Sequence, residues 1–531
     1  MTVTQLNRRA FLRAVGATGG AGAMLATMGA LGLTQSAEAA TREAASYQAP
    51  RKSDFTLSGR AAAKVVVLGG GIAGLATAYE LGKAGYDCTI LEAQNRPGGR
   101  NFTVRGGTTT TDLYGTTQTA RFSPGQYMNA GPARLAQWMV TLDYCRELGV
   151  PIEVFTNVNA DAFLYNESAG MTAPARYRAA KADVFGYTTE MLAKLTDQGS
   201  LDQQLTASDK ERLMEFLKDY GDLGGSLEYT GSTRRGYSVW PGAAGQPGVV
   251  AGDVPSASEV FASGVGRYFS FEFEFDQAML MFQPVGGMDR IPYALATAIG
   301  ARRIQYGSAV TRITDTEHGV TVAYSRDGRA RSIEADFCVS AMPPNILAKV
   351  PHNLGSGVQS ALEAITPSSA AKIGLEYRSR WWETDYRIYG GITETDLDVT
   401  HIWHPSYGFH GERGLLIGYY NTGANADSYA PLTPAQREAR AVAAGVKIYG
   451  DKYRSELATS FSHHWRQFPH QEAAWHSTPG GPDDPRYKPL TAPTGHVYFA
   501  GDWLSYMDAW QHGAFSSART AVTALHKRAL A

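Results

Sequence analysis

Three glycines and one carboxylate near the start of the chain have the types and spacing to hold a dinucleotide. Gly69, Gly71 and Gly74 form G-x-G-x-x-G, and Glu92 closes the apolar run that follows. Such glycines allow a tight turn, let the backbone approach a pyrophosphate, and permit close helix–strand packing. An acidic side chain at the end of the next strand accepts hydrogen bonds from an adenosine ribose. The elements that would position these groups are legible around them. Lys64 to Leu68 is a short, β-branched apolar run, as a buried parallel strand requires. A helix is expected from about Ile72 to Ala84, closed by Gly85, with its N-terminus turned to the phosphates. Tyr86 to Leu91 is the second strand. A lone glycine motif marks an ordinary turn as readily as a ligand site. The strand–turn–helix–strand setting with Glu92 is what points to a nucleotide.

The sequel Pro97-Gly98-Gly99-Arg100 narrows the nucleotide. Here the chain resembles the GG-doublet flavoproteins, and specifically the amine oxidase and L-amino-acid oxidase family. The resemblance implies FAD, held by Gly69, Gly71, Ile72, Ala73, Gly74, Glu92 and Ala93, with Gly98, Gly99 and Arg100 along the pyrophosphate. It extends to Gly131, Pro132, Ala133 and Arg134, and to Val310, whose backbone would meet the adenine. A second segment, Val497 to Arg519, completes the flavin site. Val497 to Phe499 reads as a strand and Gly501 as a close-approach turn. Asp502, where the family more often has Glu, would bond the ribityl or pyrophosphate region. Trp510 opens a last helix whose N-terminus would face the flavin C2 carbonyl, beside Ala509.

The same resemblance implies the substrate residues. Arg134, after Gly131-Pro132, matches an arginine that grips a substrate carboxylate in a planar, two-pronged pair. Tyr419 falls at a strand tyrosine whose hydroxyl reaches the same carboxylate; Tyr420 is the register alternative, because one residue reverses the face. Trp475 and Trp510 resemble two aromatics that flank the amine, and the Ala509 carbonyl would accept from it. Lys372 matches a lysine that holds a water against flavin N5, and together with Trp510 it is the expected catalytic group. A lysine opening an apolar strand can also be a solvated strand end. Asp508 and His512 depart from the family's usual residues and leave the polarity of the pocket rim open.

The rest of the chain bounds these readings. Its 531 residues allow two or three domains, and a formal charge of −1 gives no basic stripe for nucleic acid. Three well-separated cysteines, Cys88, Cys145 and Cys338, suit buried thiols rather than disulfides or zinc. The histidines of His401-Ile402-Trp403-His404 and His463-His464 lack a third ligand at convincing spacing, so no metal site is expected. Asn7-Arg8-Arg9-Ala10-Phe11-Leu12-Arg13, an uncharged stretch from Ala14 to Leu33, and Ala37-Glu38-Ala39 look like a twin-arginine signal, implying a secreted or periplasmic protein without stable membrane insertion.

The expected class is α/β: a Rossmann-like FAD domain of the GG-doublet type, discontinuous, with an α+β substrate domain and a helical insertion. Its parts are a signal over 1–40, the FAD domain over 60–115, 284–365 and 490–531, the substrate domain over 41–59, 116–172 and 366–489, and the helical domain over 173–283. The resemblance implies oxidative deamination of L-amino acids by O₂ and, as in many relatives, a homodimer. A flavin monoamine or polyamine oxidase, an amino-acid 2-monooxygenase, and a non-catalytic flavin- or amino-acid-binding protein are the alternatives.

Overall fold

The computed structural model describes residues 51–477 and 484–531; the twin-arginine segment lies outside them. The described residues fall into two compact units, Phe185–Ser232 and a larger one of Arg51–Val184 with Thr233–Ala531. The smaller unit contains the helix Ala207–Gly221, whose Thr206 cap accepts a hydrogen bond from the Asp209 amide.

In the larger unit the expected opening is present. β1 (Lys64–Leu68) leads through a glycine turn into α1 (Ile72–Lys83) and back to β2 (Asp87–Leu91). β1 pairs in parallel with β2 on one side and with Phe337–Ser340 on the other. With β3 defined as Ile304–Gln305 and β4 as Phe337–Ser340, the sheet order is β3-β2-β1-β4, followed by the strand Val497–Phe499. One sheet therefore gathers strands from three distant parts of the chain. After the exposed Lys64, β1 is apolar because both its faces are covered. Val65 and Val67 pack with Leu75 and Leu81 of α1, while Val66 and Leu68 pack with Ile313, Val322 and Trp503.

Three antiparallel strands, Ser308–Thr316, Gly319–Arg326 and Arg329–Ala335, stand beside this sheet. The first two follow their apolar pattern. The third has none, since it is a largely exposed edge carrying Arg329, Arg331 and Glu334.

A second, mainly antiparallel sheet has seven strands, two of which, Phe163–Tyr165 and Ala175–Arg176, come from much earlier in the chain than the rest. At its centre β5 (Ala370–Tyr377) pairs with β6 (Gly414–Thr422) and with Leu457–His464. Ile373 stands opposite Tyr419 but Gly374 stands opposite Ile417, so Gly418 is an extra residue in β6. This bulge shifts the alternation of faces for everything beyond it.

A short helix spans Val140–Glu147. Before it, Leu135 exchanges backbone hydrogen bonds with Phe282, and a turn closed by the Met139 amide on the Ala136 carbonyl leads into the helix. The last helix, α2 (Gln511–Ala529), packs against α1 and is entered through Trp510.

Candidate active site

A cavity of about 380 Å³ runs from the glycine turn of β1–α1 to the antiparallel sheet. Along it lie Gly69, Gly71, Ile72, Ala73, Glu92, Ala93 and Gly98 to Arg100. Gly131 to Arg134, Val310, Gly501, Asp502, Ala509 and Trp510 continue the wall. Gly74 is not part of it. Its lack of a side chain serves packing, because a Cβ there would lie 2.0 Å from the Gly69 carbonyl oxygen.

Glu92 is buried at the wall and accepts from the Gly70 amide at 2.5 Å and the Gln94 amide at 2.7 Å. Burial pushes its carboxyl up, and those amides with the charge of Arg96 draw it back. Arg100 joins three segments, donating to the Ala474 carbonyl at 2.9 Å and pairing with Asp502. The other Asp502 oxygen accepts from the Ala509 amide at 3.0 Å. That contact helps hold Ala509 in the left-handed region, φ 66°, just before α2 begins.

At the far end two cations lie close together. Lys372, on β5, is 4% exposed and donates to the carbonyls of Asn129, at 3.2 Å, and Gly131, at 2.5 Å. Its ammonium lies 5.0 Å from the centre of the Trp403 ring and 4.6 Å from that of Tyr420. Desolvation, with a smaller push from Arg134, lowers its pKa to about 7. Arg134 lies 4.9 Å from the Trp403 ring and 5.3 Å from Phe271, and its Nη1 donates to Asn157 Oδ1. Burial lowers its pKa, opposed by Tyr420 and by the more distant Glu394, Asp276 and Glu274. Neither cation forms an ion pair with a carboxylate among the described residues. A desolvated cation without a counter-ion is costly and is a ready place for an anion.

Tyr419 is not in this group. It is fully buried on the opposite face of β6, its ring 4.7 Å from that of Tyr429 in a separate core cluster. Tyr420 lines the cavity instead, edge-on to Trp403 at 5.2 Å. The Gly418 bulge is the cause: simple alternation from Ile417 selects Tyr419, whereas the bulge puts Ile417 and Tyr420 on one side. Trp475 and Trp510 both line the cavity, and Trp510 Nε1 donates to Asp276 at 3.1 Å. Asp508 and His512 do not reach it. Asp508 accepts from the Ser477 hydroxyl at 2.6 Å, and His512 Nδ1 accepts from the Val140 amide at 3.1 Å.

The sequence reading passed over Trp403, Trp465, Gln277 and Gln471, which also line the cavity, and Asn157 behind it. Trp403 sits in the segment read only for its histidines. Alternation along His401–His404 was the available signal, since His404 turns into the opposite core and hydrogen-bonds Tyr449 at 3.2 Å. The three cysteines are free and buried. No helix of the described residues is long and apolar enough to cross a membrane.

The family described as flavin containing amine oxidoreductase matches residues 72–526. The chain belongs to that family. This flavin amine oxidoreductase is 26% identical over 468 residues to a putative L-amino-acid oxidase of Bacillus subtilis, covering 85% of this chain and 92% of that protein. It is 26% identical to an L-amino-acid oxidase of Notechis scutatus scutatus over 490 residues, 86% and 85% of the two chains. In fold it is similar to the cyclohexylamine oxidase of Brevibacterium oxydans, with TM-score 0.60 and 18% identity over 88% of this chain and 99% of that one. A putrescine oxidase solved with putrescine bound gives TM-score 0.55 and 18% identity, over 88% and 99%.

Members of the family use FAD, and the residues present fit that group. A Cβ built on Gly71 would have no atom within 4 Å, so the backbone there is open to a ligand. The N-termini of both α1 and α2 open on the same cavity, offering unpaired amides to a pyrophosphate at one end and to a ring carbonyl at the other.

Proposed function

We propose that the protein oxidises L-α-amino acids to 2-oxo acids, releasing ammonia and hydrogen peroxide. One observation carries this reading: Arg134 lies in the cavity wall as a desolvated guanidinium on aromatic rings, its hydrogen bond made to a neutral amide. A carboxylate-free amine has nothing to offer that charge, whereas an α-carboxylate pairs with it in two parallel hydrogen bonds. The names of the curated relatives support the same substrate class.

Bound FAD supplies acceptance of a hydride and its delivery to O₂. Gly69 to Ala73, Glu92, Arg100 and Asp502 would hold it, with the α2 N-terminus at its ring. Arg134 fixes the substrate carboxylate and the Tyr420 hydroxyl adds a donor. Trp475 and Trp510 bound the amine, and the Ala509 carbonyl accepts a hydrogen bond from it, which turns the Cα–H toward the ring. As the hydride leaves Cα, the neutral amine's lone pair forms the C=N bond. Water then converts the imine to the 2-oxo acid and ammonia. Lys372, with a pKa of about 7, is in part a neutral amine at physiological pH and can orient a water without adding a full second charge.

The test is a peroxidase-coupled screen of the purified yellow protein against the twenty L-amino acids and a set of primary amines. Peroxide and 2-oxo acid from amino acids support the proposal. Turnover of amines alone reassigns the protein to amine oxidation, and an amide with CO₂ reassigns it to monooxygenation. The twin-arginine segment belongs to the proposal too, placing this chemistry outside the cytoplasm. Fractionation of cells producing the full chain checks that.

A further inference from the structure

The Arg134 guanidinium is held by Asn157, which follows directly after the strand Ile152–Thr156 and is 1% exposed. Its place in the backbone is fixed, because its amide donates to the Met279 carbonyl at 3.1 Å. A guanidinium offers only donors, so Asn157 must present Oδ1 to it. The consequence is visible at the other amide atom: Asn157 Nδ2 is buried without a hydrogen-bond partner among the described residues. An unmet buried donor costs free energy. An aspartate would present an acceptor to Arg134 with no donor left over. The nearby carboxylates are meanwhile engaged elsewhere, Glu394 by His401 at 2.6 Å and Asp276 by Trp510 at 3.1 Å.

We infer that Asn157 is a positioning residue that aims the Arg134 guanidinium while leaving its charge unneutralised, so that the site selects substrates by their carboxylate. This rests on the reading of Arg134 as the carboxylate clamp. A carboxylate at position 157 would satisfy the guanidinium internally. An incoming substrate anion would then enter a desolvated site holding a second negative charge. An apolar side chain of similar size would keep the cation free but lose its direction.

The experiment titrates benzoate, a carboxylate without an amine, into the FAD-loaded enzyme and follows the change in flavin absorbance. It uses the natural protein, Arg134→Met, Asn157→Asp and Asn157→Leu. The expected order is strongest binding in the natural protein, a fewfold loss in Asn157→Leu, and a tenfold or larger loss in Asn157→Asp. Flavin content should stay unchanged in both Asn157 variants. If Arg134→Met binds benzoate as well as the natural protein, the clamp reading itself fails. If Arg134→Met loses benzoate while both Asn157 variants keep it, only the role of Asn157 is overturned. Equal losses in the Asp and Leu variants would also overturn it, because a purely structural amide predicts that result. Should Asn157→Asp not take up flavin, Asn157→Leu decides: weaker benzoate binding at normal flavin content supports the inference, and unchanged binding refutes it.

Discussion

At the β1–α1 end the cavity is lined mainly by backbone: open glycines, amides at a helix N-terminus, and a single carboxylate pinned by two further amides. At the other end it is made by side chains, Arg134, Lys372, Trp403 and Tyr420, which come from segments far apart in sequence. The first arrangement is local, specified by about thirty consecutive residues, and has no room for a side chain at Gly74. The second depends on how a sheet is paired. It holds two buried cations against aromatic faces and backbone carbonyls, which makes it electrostatically incomplete until an anion arrives. The two ends should therefore fail differently when altered.

The largest effect is expected at the backbone end. Gly74→Val would drive its side chain into the Gly69 carbonyl, and the purified protein should be colourless, with no flavin absorbance. Retained flavin would show that the turn is more yielding than the geometry implies. At the side-chain end Arg134→Met should leave flavin binding intact. It should lower kcat/KM for L-amino acids by roughly a thousandfold, as expected for a desolvated charge-assisted pair, with turnover of simple amines unaffected. An equal loss on both substrate classes would erase the distinction between the two ends.

Lys372→Met should lower kcat on the order of a hundredfold and remove a bend near pH 7 in its pH profile. The same group affects stability with a definite sign. Its folded pKa of about 7 lies below its ordinary 10.5, so between these values the unfolded chain binds more protons. Its contribution to stability therefore rises with pH through that window and is least favourable below pH 7. Thermal midpoints of the natural protein and Lys372→Met should converge as pH approaches 10. The smallest effect separates neighbours on one strand. Tyr420→Phe should raise KM for amino acids about tenfold, while Tyr419→Phe should leave KM alone and change stability by about 1 kcal/mol or less.

That last pair shows where sequence reading reaches its limit. The flavin-binding turn was legible because each of its requirements is met by a neighbour in sequence: β-branched strand, glycines, helix, acidic residue. Arg134, Lys372, Trp475 and Trp510 were legible through their resemblance to a family pattern, and all four line the cavity. Tyr419 was preferred through the resemblance, with Tyr420 as the register alternative, and what decides for Tyr420 is the extra residue Gly418 in β6, visible only in the register against Ile373 and Gly374. Trp403 was missed because its histidine neighbours drew attention to metal chemistry. Asn157 carries no local pattern at all, and only its distance to Arg134 marks it. The charged edge strand Arg329–Ala335 escaped for a related reason: only Ile333 and Ala335 at its end pack on the core, too few to leave a periodic trace.

The outermost strand of the parallel sheet, Val497–Phe499, and α2 come from the final residues of the chain. During synthesis, then, the ribosome must have passed Ala529 before this wall of the pocket exists. Nascent or clipped forms lacking α2 should be unable to retain their yellow colour, so pigment would report that translation had passed α2.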